Sequence, residues 1–194
     1  MHSNFCSEMN PALKLEKLRQ VLKTNNFNAV IVPTEDAHQS EYVADCDNRR
    51  PFISGFTGSA GTAIITLKSA ALWTDGRYHE QAGSEISTDW VLMKEGLPGV
   101  PTQVEWLKTE LESGERVSVD GTLYSSSSFE SLKFQLASKS IELVATTNFV
   151  DQVWVDRPIR NDSRIIAFSE KYRTFILNSW KVFCPKSGLL KSYL

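Results

Sequence analysis

Histidine is the scarcest of the chemically versatile side chains in this sequence. It occurs only as His2, His38 and His79, and no His-Glu-x-x-His pair is present. A hydrolytic metal site usually draws on histidines and carboxylates at such spacings, because several lone pairs must converge on one ion. These three histidines are too dispersed for that arrangement. The sequence therefore predicts no metal site and no catalytic residue in this chain.

Two pairs of potential metal ligands could still bind an ion. Asp36 and His38 would share one face of a strand, and Asp45 with Asp47 could hold a cation. A loop histidine satisfied by its surroundings explains the first pair equally well. A solvated acidic loop beside Arg49-Arg50 explains the second pair. We favour both of these simpler interpretations.

Glycines recur at three-residue spacing in the glycine-rich segment, residues 55–61, as Gly55, Gly58 and Gly61. The segment lacks the Lys-Ser/Thr ending of a phosphate-binding loop and the glycine order of a dinucleotide site. Ser59 is not in a nucleophile elbow either, because the residue two positions before it is not glycine. We favour tight turns and close backbone packing, which need glycine for steric reasons, over small-anion binding.

Residues 73–78, Trp-Thr-Asp-Gly-Arg-Tyr, carry the most informative short motif. A strand end, a tight turn and a helix start would hold Arg77 at a sheet edge. Its planar guanidinium can bind a carboxylate or a peptide carbonyl through two parallel hydrogen bonds. A surface ion pair between arginine and aspartate explains the same pattern, and the motif alone leaves both interpretations open.

Alternating helices and strands are predicted to position these residues. Residues 62–66 and 71–74 form a hairpin around Lys68-Ser69, so the sheet is mixed rather than purely parallel. The sequence thus predicts an α/β fold with a mixed β-sheet flanked by helices. The other predicted strands cover 29–32, 90–94, 117–120 and 141–145, and the predicted helices start near Pro11, Arg77, Thr102, Ser127 and Val150.

Two finer expectations concern helix faces and caps. The first helix, which Asn10 would cap, has an apolar stripe formed approximately by Leu13, Leu18, Val21 and Leu22. Thr102 with Glu105, and Ser127 with Glu130, have the spacing of a capping box.

Composition narrows the function classes. The 194 residues carry 21 Lys and Arg against 23 Asp and Glu, a formal net charge of −2, whereas dedicated nucleic-acid binders usually carry a basic surplus. Apolar runs are far shorter than the roughly 20 residues of a membrane span. The N-terminus shows no secretory signal pattern, and the three cysteines are isolated from one another. We therefore expect a cytoplasmic protein with neither nucleic acid nor membrane as a partner.

Several ordered motifs resemble the N-terminal domain of eukaryotic Xaa-Pro aminopeptidases, the aminopeptidase P family. The resemblance covers roughly residues 10–160 and is closest to the cytosolic three-domain form. It rests on the segments 36–42, 49–63, 73–78, 101–103, 119–120 and 154–158.

The resemblance implies a creatinase-type N-terminal fold. Full-length members remove the N-terminal residue from peptides with proline second, using two divalent metals, typically manganese, in a C-terminal domain. The metals lower the pKa of a bridging water and polarise the substrate carbonyl. The ligand motifs of that domain are absent from this sequence, so we expect the chain to hold no cofactor and to be inactive alone. As an alternative, it would act as a stand-alone interaction or regulatory module that associates with full-length subunits.

Arg77 matches an arginine that, in this family, reaches toward bound peptide. The resemblance therefore implies that Arg77 is a substrate-binding residue. It also implies a creatinase-like N-terminal domain over residues 1–158. Residues 159–194 depart from the family pattern, and we expect an atypical tail there with one helix within 164–183. A fragment, an alternative transcript or a faulty gene model would each explain that tail.

Overall fold

A computed structural model describes residues 9–160 of the chain. The helix predicted within 164–183 lies outside these described residues. Three short 3₁₀ turns, Asp45–Asp47, Gly121–Leu123 and Phe149–Gln152, accompany the regular elements. The α-helices are α1 (Pro11–Thr24), α2 (Arg49–Ser54), α3 (His79–Glu85), α4 (Gln103–Glu110) and α5 (Ser126–Ala137). The strands are β1 (Ala29–Val32), β2 (Thr62–Thr66), β3 (Ala70–Thr74), β4 (Val91–Lys94), β5 (Arg116–Asp120) and β6 (Glu142–Thr146).

The strands form one mixed sheet in the order β4-β3-β2-β1-β5-β6. Strand β2 runs antiparallel to both of its neighbours, and the remaining pairs are parallel. The predicted mixed α/β sheet and its hairpin are therefore confirmed. The carboxyl ends of every described strand except β2 lie together, at what we call the carboxyl edge of the sheet.

Both faces of the sheet are covered, which explains its nearly continuous apolar strands. Alternate residues of β1 point to opposite faces: Val30 and Val32 pack in the cluster that includes Leu18 of α1. Ala29 and Ile31 pack in the other cluster, with Leu107 of α4. This is the period of two that a strand imposes on its side chains.

Helix α1 begins as predicted but turns a different face to the core. The Asn10 side chain accepts a hydrogen bond from the Ala12 amide at 3.0 Å, and a proline occupies the first helical position. Leu13 was expected to be buried but is 41% exposed, and Leu15 is buried in its place. The buried stripe therefore follows positions 15, 18 and 22, and the prediction at Leu13 is wrong.

The two predicted capping boxes have opposite outcomes. Thr102 and Glu105 form one at the start of α4, where the Thr102 hydroxyl accepts from the Glu105 amide at 3.2 Å. The box predicted at Ser127 and Glu130 is wrong, because Ser125 caps α5 and accepts from the Ser128 amide at 3.1 Å. Four consecutive serines offer equivalent caps, and the turn after β5 selects the first of them.

Candidate functional site: the arginine turn and the glycine-rich segment

The topology brings the two motifs singled out from the sequence to one place. The Arg77 turn follows β3, and the glycine-rich segment precedes the antiparallel β2, so both lie at the carboxyl edge. They are joined by hydrogen bonds from the Thr74 hydroxyl to the Ala60 carbonyl at 2.7 Å and between the Ser59 and Tyr78 hydroxyls at 2.6 Å. The two segments therefore form one continuous surface.

Arg77 is held by Asp75 in a two-point fork. Its Nε and Nη2 atoms donate to the two carboxylate oxygens of Asp75 at 2.9 and 2.8 Å. The Arg77 guanidinium carbon lies 5.2 Å from the centre of the Tyr78 ring. The Arg77 side chain is nonetheless 69% exposed, and Nη1 has no hydrogen-bond partner within residues 9–160. The guanidinium is thus oriented by Asp75 while one of its donors faces outward.

The same aspartate forms a turn that precedes the following helix. Asp75 Oδ1 also accepts a hydrogen bond from the Arg77 backbone amide at 3.0 Å, which closes a turn. The helix predicted from Arg77 therefore begins two residues later, at His79.

The charges of the fork reinforce one another. Hydrogen bonds from the Arg77 side chain and backbone lower the pKa of the Asp75 carboxyl to about 2. The same contacts raise the pKa of Arg77. Both partners are therefore ionised at neutral pH.

The glycine-rich segment needs glycine for the steric reasons that we favoured. Gly55 ends α2 with a φ of +80°, a left-handed conformation that side chains disfavour. A Cβ atom at Gly61 would lie 2.6 Å from the Trp73 carbonyl oxygen, and one at Gly58 would collide with the Phe56 ring. The interpretation as tight turns with close backbone packing is confirmed.

The glycine-rich segment packs against a buried arginine, Arg50, that was not predicted from the sequence. Arg50 is 2% exposed, donates through Nη2 to the Gly58 carbonyl and lies 4.6 Å from the centre of the Phe56 ring. Within the described residues its Nε and Nη1 atoms have no hydrogen-bond partner. Burial lowers the pKa of Arg50 to about 10, so it keeps its charge at neutral pH. No local signal in the sequence marks Arg50 as buried, because the groups that it contacts lie in the glycine-rich segment.

Glu85 of α3 anchors the middle of the glycine-rich segment. Its carboxylate accepts from the Thr57 amide at 2.7 Å and from the Thr57 hydroxyl at 2.8 Å. These hydrogen bonds, together with one from Gln81, outweigh desolvation and lower the pKa of Glu85. The segment is therefore tied to α2 through Arg50 and to α3 through Glu85.

The first of the two candidate ligand pairs, Asp36 with His38, forms a local turn. Asp36 is buried and accepts hydrogen bonds from the His38 and Ser40 amides at 2.9 and 3.0 Å. The amide of Ser40 makes the largest contribution to lowering the pKa of Asp36. His38 lies in a loop, as favoured from the sequence, but it is exposed rather than satisfied by its surroundings.

The solvated-loop interpretation holds for Asp45 and is wrong for Asp47. Asp45 is exposed, but Asp47 is 5% exposed and forms ion pairs with Arg49, Arg157 and Arg160 at 3.2, 3.1 and 2.5 Å. Two of these arginines come from the end of the described chain. A local sequence pattern cannot show that they converge on Asp47.

The described residues do not fit a metal centre. Within residues 9–160, no three His, Cys, Asp or Glu side chains lie close enough together to hold an ion. His79, beside the arginine turn, contacts the Thr74 carbonyl through Nε2 at 3.1 Å. No helix of the same residues is long and apolar enough to cross a membrane. The carboxyl edge offers hydrogen-bonding and charged groups through which a ligand can be bound.

Comparison with known proteins gives one consistent relationship. Residues 14–153 match the model of the creatinase/prolidase N-terminal domain. A probable Xaa-Pro aminopeptidase P of Talaromyces marneffei is 46% identical over 161 residues, covering 82% of this chain and 24% of the relative. Aminopeptidase P2 of Arabidopsis thaliana is 46% identical over 157 residues, covering 79% of this chain and 22% of the relative. The chain thus spans about a quarter of the length of the curated relatives it matches.

A solved structure extends the relationship to three dimensions. The X-prolyl aminopeptidase of Caenorhabditis elegans, described as a cytosolic enzyme with a di-nuclear active site, superposes with a TM-score of 0.78 at 33% identity. The match covers 91% of this chain and 32% of the nematode enzyme.

Proposed function

The chain belongs to the creatinase/prolidase N-terminal domain family and corresponds to the N-terminal part of Xaa-Pro aminopeptidases, and we propose that it is the substrate-facing domain of such an enzyme. The proposed activity of the longer protein is removal of the N-terminal residue from peptides with proline second. This domain would contribute binding, and hydrolysis would take place outside residues 9–160.

One observation carries the proposal for Arg77: an exposed guanidinium whose direction is already fixed. Asp75 restrains two of its nitrogens, so little side-chain entropy remains to be lost when a ligand binds. The outward Nη1 can donate to a carbonyl or carboxylate oxygen of a peptide, and the positive charge strengthens that hydrogen bond. Asp75 is thereby a positioning residue for Arg77.

The metal requirement is assigned to the rest of the enzyme. The nematode relative is described as having a di-nuclear active site, whereas the described residues of this chain lack a fitting ligand set. We propose that two divalent ions, typically manganese in the family, bind outside these residues. A cytoplasmic location is proposed on the nematode relative's description as cytosolic.

The stand-alone interaction module is the less favoured function. The match to the N-terminal quarter of complete aminopeptidases explains the chain more directly.

A chimera tests the role of Arg77. Residues 9–160 replace the matching segment of the nematode X-prolyl aminopeptidase, and kcat and KM are measured for the peptide Arg-Pro-Pro. We expect Arg77→Gln to lower kcat/KM by roughly ten- to a hundred-fold, the usual value of a hydrogen bond from a charged donor. Lys133→Gln on the exposed side of α5 removes the same charge elsewhere and should change kcat/KM less than about two-fold. Equal kcat/KM values for the Arg77→Gln and unsubstituted chimeras would contradict the proposal.

A further inference from the structure

A depression opens at the carboxyl edge, between β1 and β5. It has a volume of about 480 Å³, and its lining includes Glu35, Gln39, Gln103, Thr122, Tyr124 and Ser125. It shares no lining residue with the arginine turn.

The depression lies where the chain changes direction across the sheet. From β1 the chain proceeds through β2, β3 and β4 on one side, and then crosses to β5 and β6 on the other. The loops that leave β1 and β5 diverge as a result, because these adjacent parallel strands connect to opposite halves of the sheet. In open α/β sheets, the crevice at such a switch point is where ligands bind.

The walls of this cavity are fixed before any ligand arrives. The side-chain amide of Gln39 donates through Nε2 to the Asp36 and Leu123 backbone carbonyls at 3.3 and 3.2 Å. It thereby joins the loop after β1 to the loop after β5. Gln39 adopts a φ of +55° to do this, a conformation that costs free energy in a residue other than glycine. Asp120 holds the opposite wall by accepting from the Thr122 amide and hydroxyl at 3.0 and 2.7 Å.

The polar groups of the cavity favour a positive ligand. Glu35 is exposed and makes no hydrogen bond or salt bridge within residues 9–160, although its charge acts on the buried Arg50 and raises the pKa of that arginine against the effect of burial. The Tyr124 hydroxyl likewise has no hydrogen-bond partner within these residues. The lining includes no Lys, Arg or His. Burial, with a smaller contribution from the charge of Glu35, raises the pKa of Tyr124. The phenol therefore stays neutral and Glu35 supplies the only formal charge of the described lining.

We propose that this cavity binds an organic cation, an ammonium or guanidinium group carried by a small amine or by a basic peptide side chain. The cation pairs with the Glu35 carboxylate and lies against Tyr124, where aromatic and hydroxyl groups both favour positive charge. The volume falls within the usual range of about 300–1,000 Å³ for small-ligand sites, so the body of such a molecule fits beside its charged group. A single carboxylate is too few ligands for a metal ion.

The test is a titration of the ¹⁵N-labelled 194-residue chain followed by amide chemical shifts. Agmatine represents a free amine, and the acetylated and amidated tripeptide Gly-Arg-Gly represents a peptide side chain. We expect at least one of them to give saturable shifts at Gln39, Thr122 and Ser125. The tighter of the two identifies the source of the cation. Sodium phosphate should produce no saturable shifts at these amides.

Matched variants separate a specific site from diffuse charge. Glu35→Gln should weaken binding about ten-fold or more, and Tyr124→Phe should weaken it by a smaller factor. Glu41→Gln removes the same charge from an exposed residue of the same loop and should leave the affinity within about two-fold. Amide shifts distant from the cavity report whether each variant remains folded. The proposal is overturned if neither probe gives saturable shifts, or if Glu41→Gln weakens binding as much as Glu35→Gln.

Discussion

Asp75 and Arg77 form a fork whose geometry depends on the charge of both residues. The carboxylate accepts from Nε, Nη2 and the backbone amide of Arg77. Each hydrogen bond favours the ionised form of Asp75, and together they place its pKa at about 2 instead of its ordinary value of 3.8. A carboxyl whose pKa is lower in the folded state contributes stability above its unfolded pKa and loses that contribution as the pH falls through the folded value.

Removal of Arg77 should therefore release the Asp75 carboxyl. In Arg77→Gln, we expect the pKa of Asp75 to rise from about 2 toward 3.8, as measured by ¹³C NMR of the carboxyl carbon during an acid titration. In the unsubstituted chain the fork should persist down to a pH below 3.8. An Asp75 carboxyl that titrates at its ordinary pKa with Arg77 in place would show that the fork does not form in solution.

Gly61 tests the packing of the glycine-rich segment. A methyl group at this position would meet the Trp73 carbonyl oxygen at 2.6 Å, and a backbone atom cannot move aside cheaply. Gly61→Ala should lower the free energy of unfolding by about 1–3 kcal/mol, as overpacking does. Urea denaturation provides the measurement. Gly83→Ala in α3 is the control, because it has room for the methyl group and should be neutral or slightly stabilising.

The contacts of a single residue could be predicted from the sequence only where its partner lies close to it along the chain. The motif at 73–78 predicted the turn that holds Arg77 and left open the pair with Asp75, two residues away. Arg50 was missed because its burial depends on the glycine-rich segment, and Asp47 was misinterpreted because Arg157 and Arg160 approach it from more than 100 residues away. Whether Arg77 contacts substrate stays a prediction.

At the scale of elements, α4 is fixed by a complete capping box. Thr102 and Glu105 satisfy each other's backbone amides at 3.2 and 2.8 Å. The helix buries Trp106 and Leu107 against the sheet, so its start also sets the position of part of the core.

Loss of the Thr102 cap should lower the free energy of unfolding. Thr102→Ala removes the acceptor for the Glu105 amide, and we expect the free energy of unfolding to fall by about 0.5–2 kcal/mol. Thr109→Ala, at an exposed position later in the same helix, removes a hydroxyl with no capping role and should change the free energy of unfolding by less than about 0.5 kcal/mol. Equal losses in the two variants would mean that Thr102 does not cap the helix. Chemical denaturation distinguishes these results.

Most elements were predictable because their signals are local. Apolar runs bounded by turns predicted β1 and β2 with the observed bounds, and the hairpin followed from the turn at Lys68-Ser69. The start of α5 was not predictable, because consecutive serines have the same capping chemistry and only the path of the chain after β5 selects Ser125. The predicted buried face of α1 was wrong at Leu13. Leu13 and Leu15 are both apolar, and only Leu15 is buried.

At the scale of the molecule, an ion network centred on the buried Asp47 and Arg49 ties the first third of the described chain to its end. Asp47 binds Arg49, Arg157 and Arg160, and Arg49 also binds Asp151 at 2.7 Å. A buried pair is costly to break, because the partner left behind keeps a charge that water no longer solvates. This network fixes the last described residues against the 3₁₀ turn at Asp45–Asp47.

Asp47→Asn should consequently destabilise the whole fold. We expect the free energy of unfolding to fall by about 3 kcal/mol, near the lower end for loss of one partner of a buried pair, since Asp151 still binds Arg49. The exposed Asp45→Asn makes the same chemical change two residues earlier and should cost less than about 0.5 kcal/mol. Thermal and urea unfolding of both variants provide the comparison. A loss below 0.5 kcal/mol in Asp47→Asn would contradict a stabilising role for the network.

The sequence motifs placed the family resemblance over roughly residues 10–160, and the family model matches residues 14–153. The boundary predicted between 158 and 159 stays a prediction. Long-range ion pairs and the buried Arg50 lie beyond any local pattern, since both arise only when distant segments are brought to one place.

The most direct measurement asks whether this chain, by itself, holds the hydrolytic metals. The purified 194-residue protein is equilibrated with manganese, its bound metal is quantified, and release of arginine from Arg-Pro-Pro is followed beside the nematode enzyme as a positive control. We expect no stoichiometric manganese and no arginine release above the blank. Roughly one or two manganese ions per chain, with turnover that persists through further purification, would contradict the assignment of catalysis to the rest of the enzyme.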